Sequence, residues 1–313
     1  MEMENKTSVK VFVFSGLTND SNLVPFLFIF FLLVYMMTVV GNVGMMTVVR
    51  TTSNFHNPMY YFLSYLSMLD LCYSSVVTPK MLCDLWSKVR SISFHGCVLQ
   101  LFFFITFAVT ESLVLSGMSY DRYVAICHPL YYITIMTKKR CLSLLLLASS
   151  IGLLQASIQT ACIFSREYCR MNIIDHFYCD IPPLLKLSCS RTLLCYILSV
   201  ISICSCGVGS LVTVVFSYTL IVSSIIRLKS TKGRQKAFST CSSHMLCVSI
   251  FYGTALFIYL RPPNAAFEKQ DKVVSVFYTV MIQMLNPLIY SLRNREVKKA
   301  IIEAVIKIQK FQR

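Results

Sequence analysis

MSYDRYVAICHPLYY, residues 118–132, begins where a long apolar run gives out. It sets an adjacent Asp121–Arg122 pair between two tyrosines and then breaks at His128–Pro129. A membrane segment needs only charges to stop, so this pattern asks for a second role. The run before it, 97–120, carries almost no charge and is long enough to cross a bilayer, which takes about 20 apolar residues as a helix. Reading outward finds six more such runs, at 25–49, 59–79, 141–165, 192–226, 237–260 and 273–292. Composition agrees: 56% of the 313 residues are hydrophobic and 14% charged, with a mean hydropathy of +0.64, too apolar for a soluble domain. The expected fold is an all-α membrane protein, a seven-transmembrane helix bundle forming one domain over 1–313. Residues 1–24 precede the first span and 293–313 form the tail. The polar, mixed first 24 residues show no cleavable signal peptide, so the first span is expected to act as an uncleaved anchor.

Basic residues set the orientation. With the N-terminus outside, 17 of the 29 Lys and Arg fall on the cytoplasmic side, in KKR (138–140), RLKSTKGRQK (227–236) and the tail. Only Asp121, Glu296 and Glu303 oppose them there. The bias places the N-terminus out and the C-terminus in. The net charge of +15 is read as a rim facing anionic lipid, with no nucleic-acid partner. The tail alternates Val297, Ala300, Ile301, Ala304, Val305 and Ile308 with lysines, the pattern of a short amphipathic eighth helix on the inner leaflet. No cysteine follows Cys247 to carry a palmitoyl anchor there.

Fourteen cysteines sort by side. Most lie inside spans, where a thiol behaves as a small apolar group. Cys97, Cys169, Cys179 and Cys189 fall on the oxidising side, where disulfides persist, and four cysteines allow three pairings. HFYCD (176–180) raises a transition-metal reading through His176, Cys179 and Asp180. A cysteine in a disulfide cannot serve as a thiolate ligand, so none is expected. NKT at Asn5 is a glycosylation sequon on the outer side, and NDS at Asn19 is a second, close to the membrane.

Two acids stand inside apolar runs, Asp70 in the second and Glu111 in the third. Intramembrane carboxylates are costly and face the bundle interior with a partner. No basic residue lies at that depth. Protonation, or a sodium ion held by both carboxylates with Asn42 and Asn286 as polar neighbours, remain the two readings. Glu111 and Arg122 lie about 16 Å apart along a helix, and Cys97 and Arg122 about 37 Å, the full membrane thickness. Pinned outside and charged inside, the third span has the design of a switch.

These stretches together resemble an odorant receptor of the rhodopsin-like G-protein-coupled family, in its tetrapod, air-tuned division. The resemblance runs through GN (41–42), PMYYFLSYLSMLDLCYSS (58–75), MSYDRYVAICHPLYY, SY (217–218), KAFSTCSSHM (236–245) and PLIYSLRN (287–294). It implies roles. Arg122 is the latch that a G protein displaces, Asp121 restrains it at rest with Tyr123 alongside, and Tyr218 and Tyr290 receive it. His244 helps hold the closed state. Asp70, Glu111, Asn42 and Asn286 match the family's sodium site. Cys97–Cys179 matches its outer disulfide, and Cys169–Cys189 would be a second bridge within the loop. Departures are informative too. Trp86 is the only tryptophan, span six has no internal proline, and Tyr252 in FYGT (251–254) stands where related receptors carry a toggle residue. Gly253 is the one candidate for a kink there.

A ligand site is expected in the outer half. Phe104, Ala108 and Ser112 share one face of span three, flanked by Ile105 and Val109. Ser202, Ile203 and Cys206 face them from span five, Tyr252, Ala255, Leu256 and Tyr259 from span six, and Val276 and Thr279 from span seven. The lining is apolar with a few hydroxyls and no fixed charge, suited to a small, neutral, volatile odorant. The partners implied by resemblance are that odorant, a stimulatory olfactory-type heterotrimeric G protein raising cyclic AMP, and accessory trafficking proteins. The expected location is the multi-pass plasma membrane of olfactory cilia. A receptor for an internal metabolite shares every residue of this mechanism. A transporter is disfavoured by the absence of an internal repeat, and an enzyme by the absence of an intramembrane catalytic set.

Overall fold

The computed structural model describes residues 9–18, 20–51, 58–168, 172–227, 230–259, 268–293 and 298. The sequons at Asn5 and Asn19, Cys169 and the expected eighth helix in the tail fall outside these residues.

Seven long helical segments build the bundle. They are α1 (Val24–Thr51), α2 (Pro58–Trp86), α3 (Phe94–Cys127), α5 (Lys138–Phe164), the fifth span made of α7 (Leu193–Ser202) and α8 (Gly209–Arg227), α9 (Thr231–Tyr259), and the seventh span made of α10 (Glu268–Val276) and α11 (Ile282–Arg293). A four-residue helix, α4 (Tyr132–Ile135), lies between α3 and α5, and α6 (Ile181–Leu187) lies in the loop before the fifth span. Five of the seven are long and apolar enough to cross a membrane by composition alone. The other two, α2 and α9, have 29 residues each, about 43 Å of helix and more than a bilayer core requires.

Burial shows why hydrophobicity alone does not define the inside. α1 buries Phe31, Val34, Thr38, Asn42, Met45 and Val48, three or four residues apart on one face. Its other faces expose Phe26, Ile29, Leu33 and Val40, which only a lipid surround accommodates. α5 instead buries small residues, among them Cys141, Ala148, Gly152 and Ala156, and so approaches α3 closely. A Cβ on Gly152 would stand 2.3 Å from the Thr110 hydroxyl and 2.7 Å from the Thr106 carbonyl.

Two spans are not continuous α-helix. Residues Ile203–Val208 and Phe277–Met281 each form a π-helical turn, the kind of register shift that often marks functional positions. Proline also stands inside α2 at Pro79 and inside α11 at Pro287, removing a backbone donor at each point.

The outer end carries a cap that the polar composition of residues 1–24 does not announce. Strand β1 (Val11–Phe14) pairs antiparallel with β2 (Ser91–Ser93), Phe12 opposite Ile92, and parallel with β3 (Ile173–Ile174), Phe14 opposite Ile174. Phe12 and Phe14 alternate inward and are buried. Ser93 ends β2 and caps α3 by accepting the Gly96 N–H at 3.1 Å.

Disulfides close the same end. Cys97–Cys179 forms as the resemblance implies. Cys162–Cys195 is also bridged, joining α5 to the fifth span, which corrects the reading of both thiols as apolar filler inside spans. They sit at the outer ends of their helices, on the oxidising side, with Cα atoms 5.7 Å apart, within bridging range. Cys189 is disulfide-bonded.

Candidate functional site

Three layers along the bundle axis hold the residues singled out by the sequence. In the outer layer, Phe104 is buried and its ring centroid lies 5.3 Å from Tyr73, 5.0 Å from Tyr178 and 6.0 Å from Tyr278. Tyr178 belongs to the loop segment 176–180, which is tied down onto α3. The Cys97–Cys179 bridge is one tie. Gln100 is the other: its carbonyl accepts the Cys179 N–H at 2.9 Å while its amide donates to the Val76 carbonyl at 3.0 Å. The Tyr178 hydroxyl meets that of Tyr278 and donates to Asp180 at 2.9 Å. Asp180 also accepts the Ile181 N–H at 2.8 Å and so caps α6. Burial raises its carboxyl above the usual range, opposed by those bonds. Burial likewise pushes His176 down to about 3, helped by Lys272 and opposed by Asp175. The neutral imidazole lies against the Phe177 and Tyr178 rings, 4.6 and 4.5 Å between centroids.

Of the expected ligand residues, Phe104, Ile105, Ser112, Ser202, Cys206, Tyr252 and Thr279 are buried. Ala108, Val109, Ile203, Ala255 and Val276 are half-buried. The side chains of Leu256 and Tyr259 lie outside the described ones. Ile203 and Cys206 belong to one π turn and Thr279 to the other. Tyr252 is the junction of the layer: its hydroxyl donates to Ser210 at 2.6 Å and lies 3.2 Å from the Ser112 carbonyl. One phenol thus joins α9 to α8 and α3. The sequence reading missed Ser210, Gln100, Tyr178 and Tyr278. Gln100 continues the Phe104–Ala108 stripe one turn outward and Ser210 follows Cys206 by four residues, so spacing alone could have found both. Tyr178 reaches the site through a loop, which periodicity does not report.

The middle layer brings Asp70, Glu111 and Asn286 together. The Asn286 amide donates to both Asp70 oxygens at 3.1 Å and lies beside Glu111. Both Glu111 oxygens are buried with no hydrogen-bond partner among the described residues. Asn42 is engaged elsewhere: its amide donates to the Thr38 and Gln283 carbonyls, each at 3.0 Å, which links α1 to the seventh span. Its side-chain oxygen is buried without a hydrogen-bond partner among the described residues.

In the inner layer Asp121 and Arg122 are both buried; no hydrogen bond joins them among the described residues, and the Arg122 charge acts on Asp121 through space. Adjacent residues on a helix point about 100° apart and do not face one another. Asp121 also accepts the Tyr132 hydroxyl of α4 at 2.9 Å. The Arg122 charge acts on Tyr218, Cys241, His244 and Tyr290. Tyr218 and His244 are hydrogen-bonded to each other at 2.6 Å with stacked rings, and Tyr290 is buried beside Cys247. Tyr123 lies to the side, its hydroxyl 3.0 Å from His128.

Comparison with known proteins bears on this arrangement. A family profile described as olfactory receptor matches residues 31–308. The chain is 50% identical to olfactory receptor 5AR1 of Mus musculus over 301 residues, covering 96% of this chain and 97% of that one. It is 48% identical to olfactory receptor 8G1 of Homo sapiens, covering 95% and 96%. With olfactory receptor 5G9 of Mus musculus the identity is 47%, covering 99% of each.

Proposed function

Because the chain belongs to the olfactory receptor family, we propose that it binds a small, neutral, mostly apolar volatile odorant in the outer layer and activates a stimulatory olfactory-type G protein, raising cyclic AMP. It is a multi-pass membrane receptor and not an enzyme. The observation that carries the proposal is Tyr252. It lines the expected odorant site and holds α9 to α3 and α8. Four residues of α9 separate it from Val248 and eight from His244, so it stands two turns from the inner layer on the same helix. A ligand that displaces the Tyr252 hydroxyl alters a contact shared by the three helices that also carry Arg122, Tyr218 and His244.

The middle layer is read as a sodium site. Asp70, Glu111 and Asn286 supply the oxygens, and the unpartnered Glu111 carboxylate fits a hard cation that prefers oxygen ligands. Asn42 is a neighbour engaged with Gln283 and not a ligand in this reading. On this reading the receptor works in the plasma membrane of olfactory cilia, with accessory proteins assisting its transport.

The test is cyclic AMP in cells expressing this chain with an olfactory-type G protein, under a panel of neutral volatiles. A response from the wild type that is lost in Arg122→Ala at equal surface expression is the expected result. A response undiminished in the variant would remove Arg122 from the coupling role. Silence from a surface-expressed wild type across the panel overturns the ligand class.

A further inference from the structure

Away from the three layers, α3, α5 and α8 leave a groove on the membrane face of the inner half. Its volume is about 250 Å³, below the roughly 300–1,000 Å³ that encloses a whole drug-sized ligand. The groove exists because its floor is made of small residues. Ala148 is buried there, and Gly117 lacks a side chain where a Cβ would come 3.1 Å from the Phe62 ring. Leu113, Leu144 and Ile151 form the walls, and Tyr120 and Thr213 stand exposed at the rim. None of the lining residues is charged.

Two features say what covers it. The groove is continuous with the lipid-facing surface of the bundle, where Leu146, Leu147, Val212 and Phe216 are exposed. Its cytoplasmic end leads to the basic start of α5. Arg140, Leu144, Leu147 and Ile151 recur at four, seven and eleven residues and share one helix face. Arg140 uses one guanidinium nitrogen to donate to the Ile135 carbonyl at 2.7 Å, leaving further donors of its five. Lys139 beside it is exposed.

We propose that this groove holds an acyl chain of an anionic phospholipid from the cytoplasmic leaflet, with the headgroup against Arg140 and Lys139. Moving an acyl chain from bulk lipid into the groove brings no hydrophobic gain. Selection comes from close packing over Gly117 and Ala148 and from charge pairing at the membrane surface. The position has a consequence for signalling. Gly117 and Tyr120 belong to the turn of α3 that precedes Asp121 and Arg122, so a seated chain braces the helix carrying the latch.

The test uses the purified full chain in lipid nanodiscs containing phosphatidylserine or phosphatidylcholine with a photoreactive diazirine in the acyl chain. Cross-linked peptides are mapped by mass spectrometry. Labelling concentrated on residues 113–120 and 144–151 is expected, with a severalfold excess for phosphatidylserine, the sense of pairing with basic side chains at a membrane surface. Arg140→Gln should erase that excess. Ala148→Phe should fill the floor and suppress the labelling. Because that change touches the core, Leu147→Trp provides the same block from an exposed position. Labelling spread evenly around the bundle, or unchanged by Leu147→Trp in a folded receptor, overturns the groove as the site. Concentrated labelling that is indifferent to headgroup and to Arg140→Gln overturns the anionic lipid as its occupant.

Discussion

The Tyr218–His244 hydrogen bond joins α8 to α9 in the inner layer, and on the proposed coupling mechanism it belongs to the closed state. A buried bond of this kind contributes about 1 kcal/mol net. His244→Ala should therefore shift the resting equilibrium toward the open state by about fivefold, the factor that 1 kcal/mol represents. Basal cyclic AMP at matched surface expression reads this, and a fall in basal signal would reverse the role given to His244. A second residue, His176, gives the outer loop a pH dependence whose sign is fixed. Its folded value, about 3, lies below the ordinary 6.5 because burial disfavours the cation. The unfolded loop takes up the proton first, so stability is present above about 6.5 and is lost as pH falls toward 3. Lowering the pH from 7 to 5 should cost the loop on the order of 2 kcal/mol. Hydrogen exchange of residues 173–180, corrected for intrinsic rates, should rise at pH 5 in the wild type. His176→Phe, which keeps the ring packing and removes the titrating group, should not show the rise. These two histidines differ in legibility. His244 was readable because a motif surrounds it, whereas the burial of His176 depends on a loop folding over Phe104, which no local pattern records.

Among the elements, α3 and α5 meet at Gly152, where any side chain would strike Thr110 and the Thr106 carbonyl. Gly152→Ala should cost about 1–3 kcal/mol through overpacking, measured as a lower unfolding temperature of the detergent-purified receptor. An unchanged unfolding temperature would show that the two helices separate freely. The Cys162–Cys195 bridge joins α5 to the fifth span across a separation of 33 residues. Replacing both cysteines by serine should cost about 4 kcal/mol by the loop-entropy argument. The helices themselves were legible in the sequence because each holds a long, nearly uncharged run; the runs 25–49, 59–79, 97–120 and 273–292 lie inside α1, α2, α3 and the seventh span, while 141–165 and 192–226 overrun their helices by one residue. What was not legible were features set by contacts between elements. The π turns at Ile203–Val208 and Phe277–Met281 sit in sequence that reads as ordinary helix. The bridging of Cys162 and Cys195 was hidden because both lie in apolar runs, where depth and not residue type decides whether a thiol meets an oxidant. Asp121 was legible as a charge at the inner mouth, yet its hydrogen-bond partner is Tyr132, eleven residues on and reached only because α4 folds back.

At the level of the whole molecule, one buried polar layer joins α2, α3 and the seventh span through Asp70, Glu111 and Asn286. A cation bound there stabilises every helix that contributes a ligand, because it binds the folded state and not the unfolded one. Replacing choline chloride with sodium chloride at equal ionic strength should raise the unfolding temperature of the wild type. The rise should vanish in Asp70→Asn. An equal response in both would assign the pair to shared protons instead of sodium. The outer cap has a consequence of another kind, for the order in which the receptor is made. Among the described elements β1 comes first in the chain, and β2 follows as soon as α2 is complete, yet β3 lies 80 residues beyond the end of β2. At about 5–20 residues per second that is a wait of roughly 4–16 s. Throughout it, one edge of the N-terminal strand faces the lumen of the secretory pathway unpaired, the condition under which strands add to foreign chains. The cap thus closes around β1 long after that strand is made, and the interval between the two is a window in which lumenal chaperones have a strand to hold.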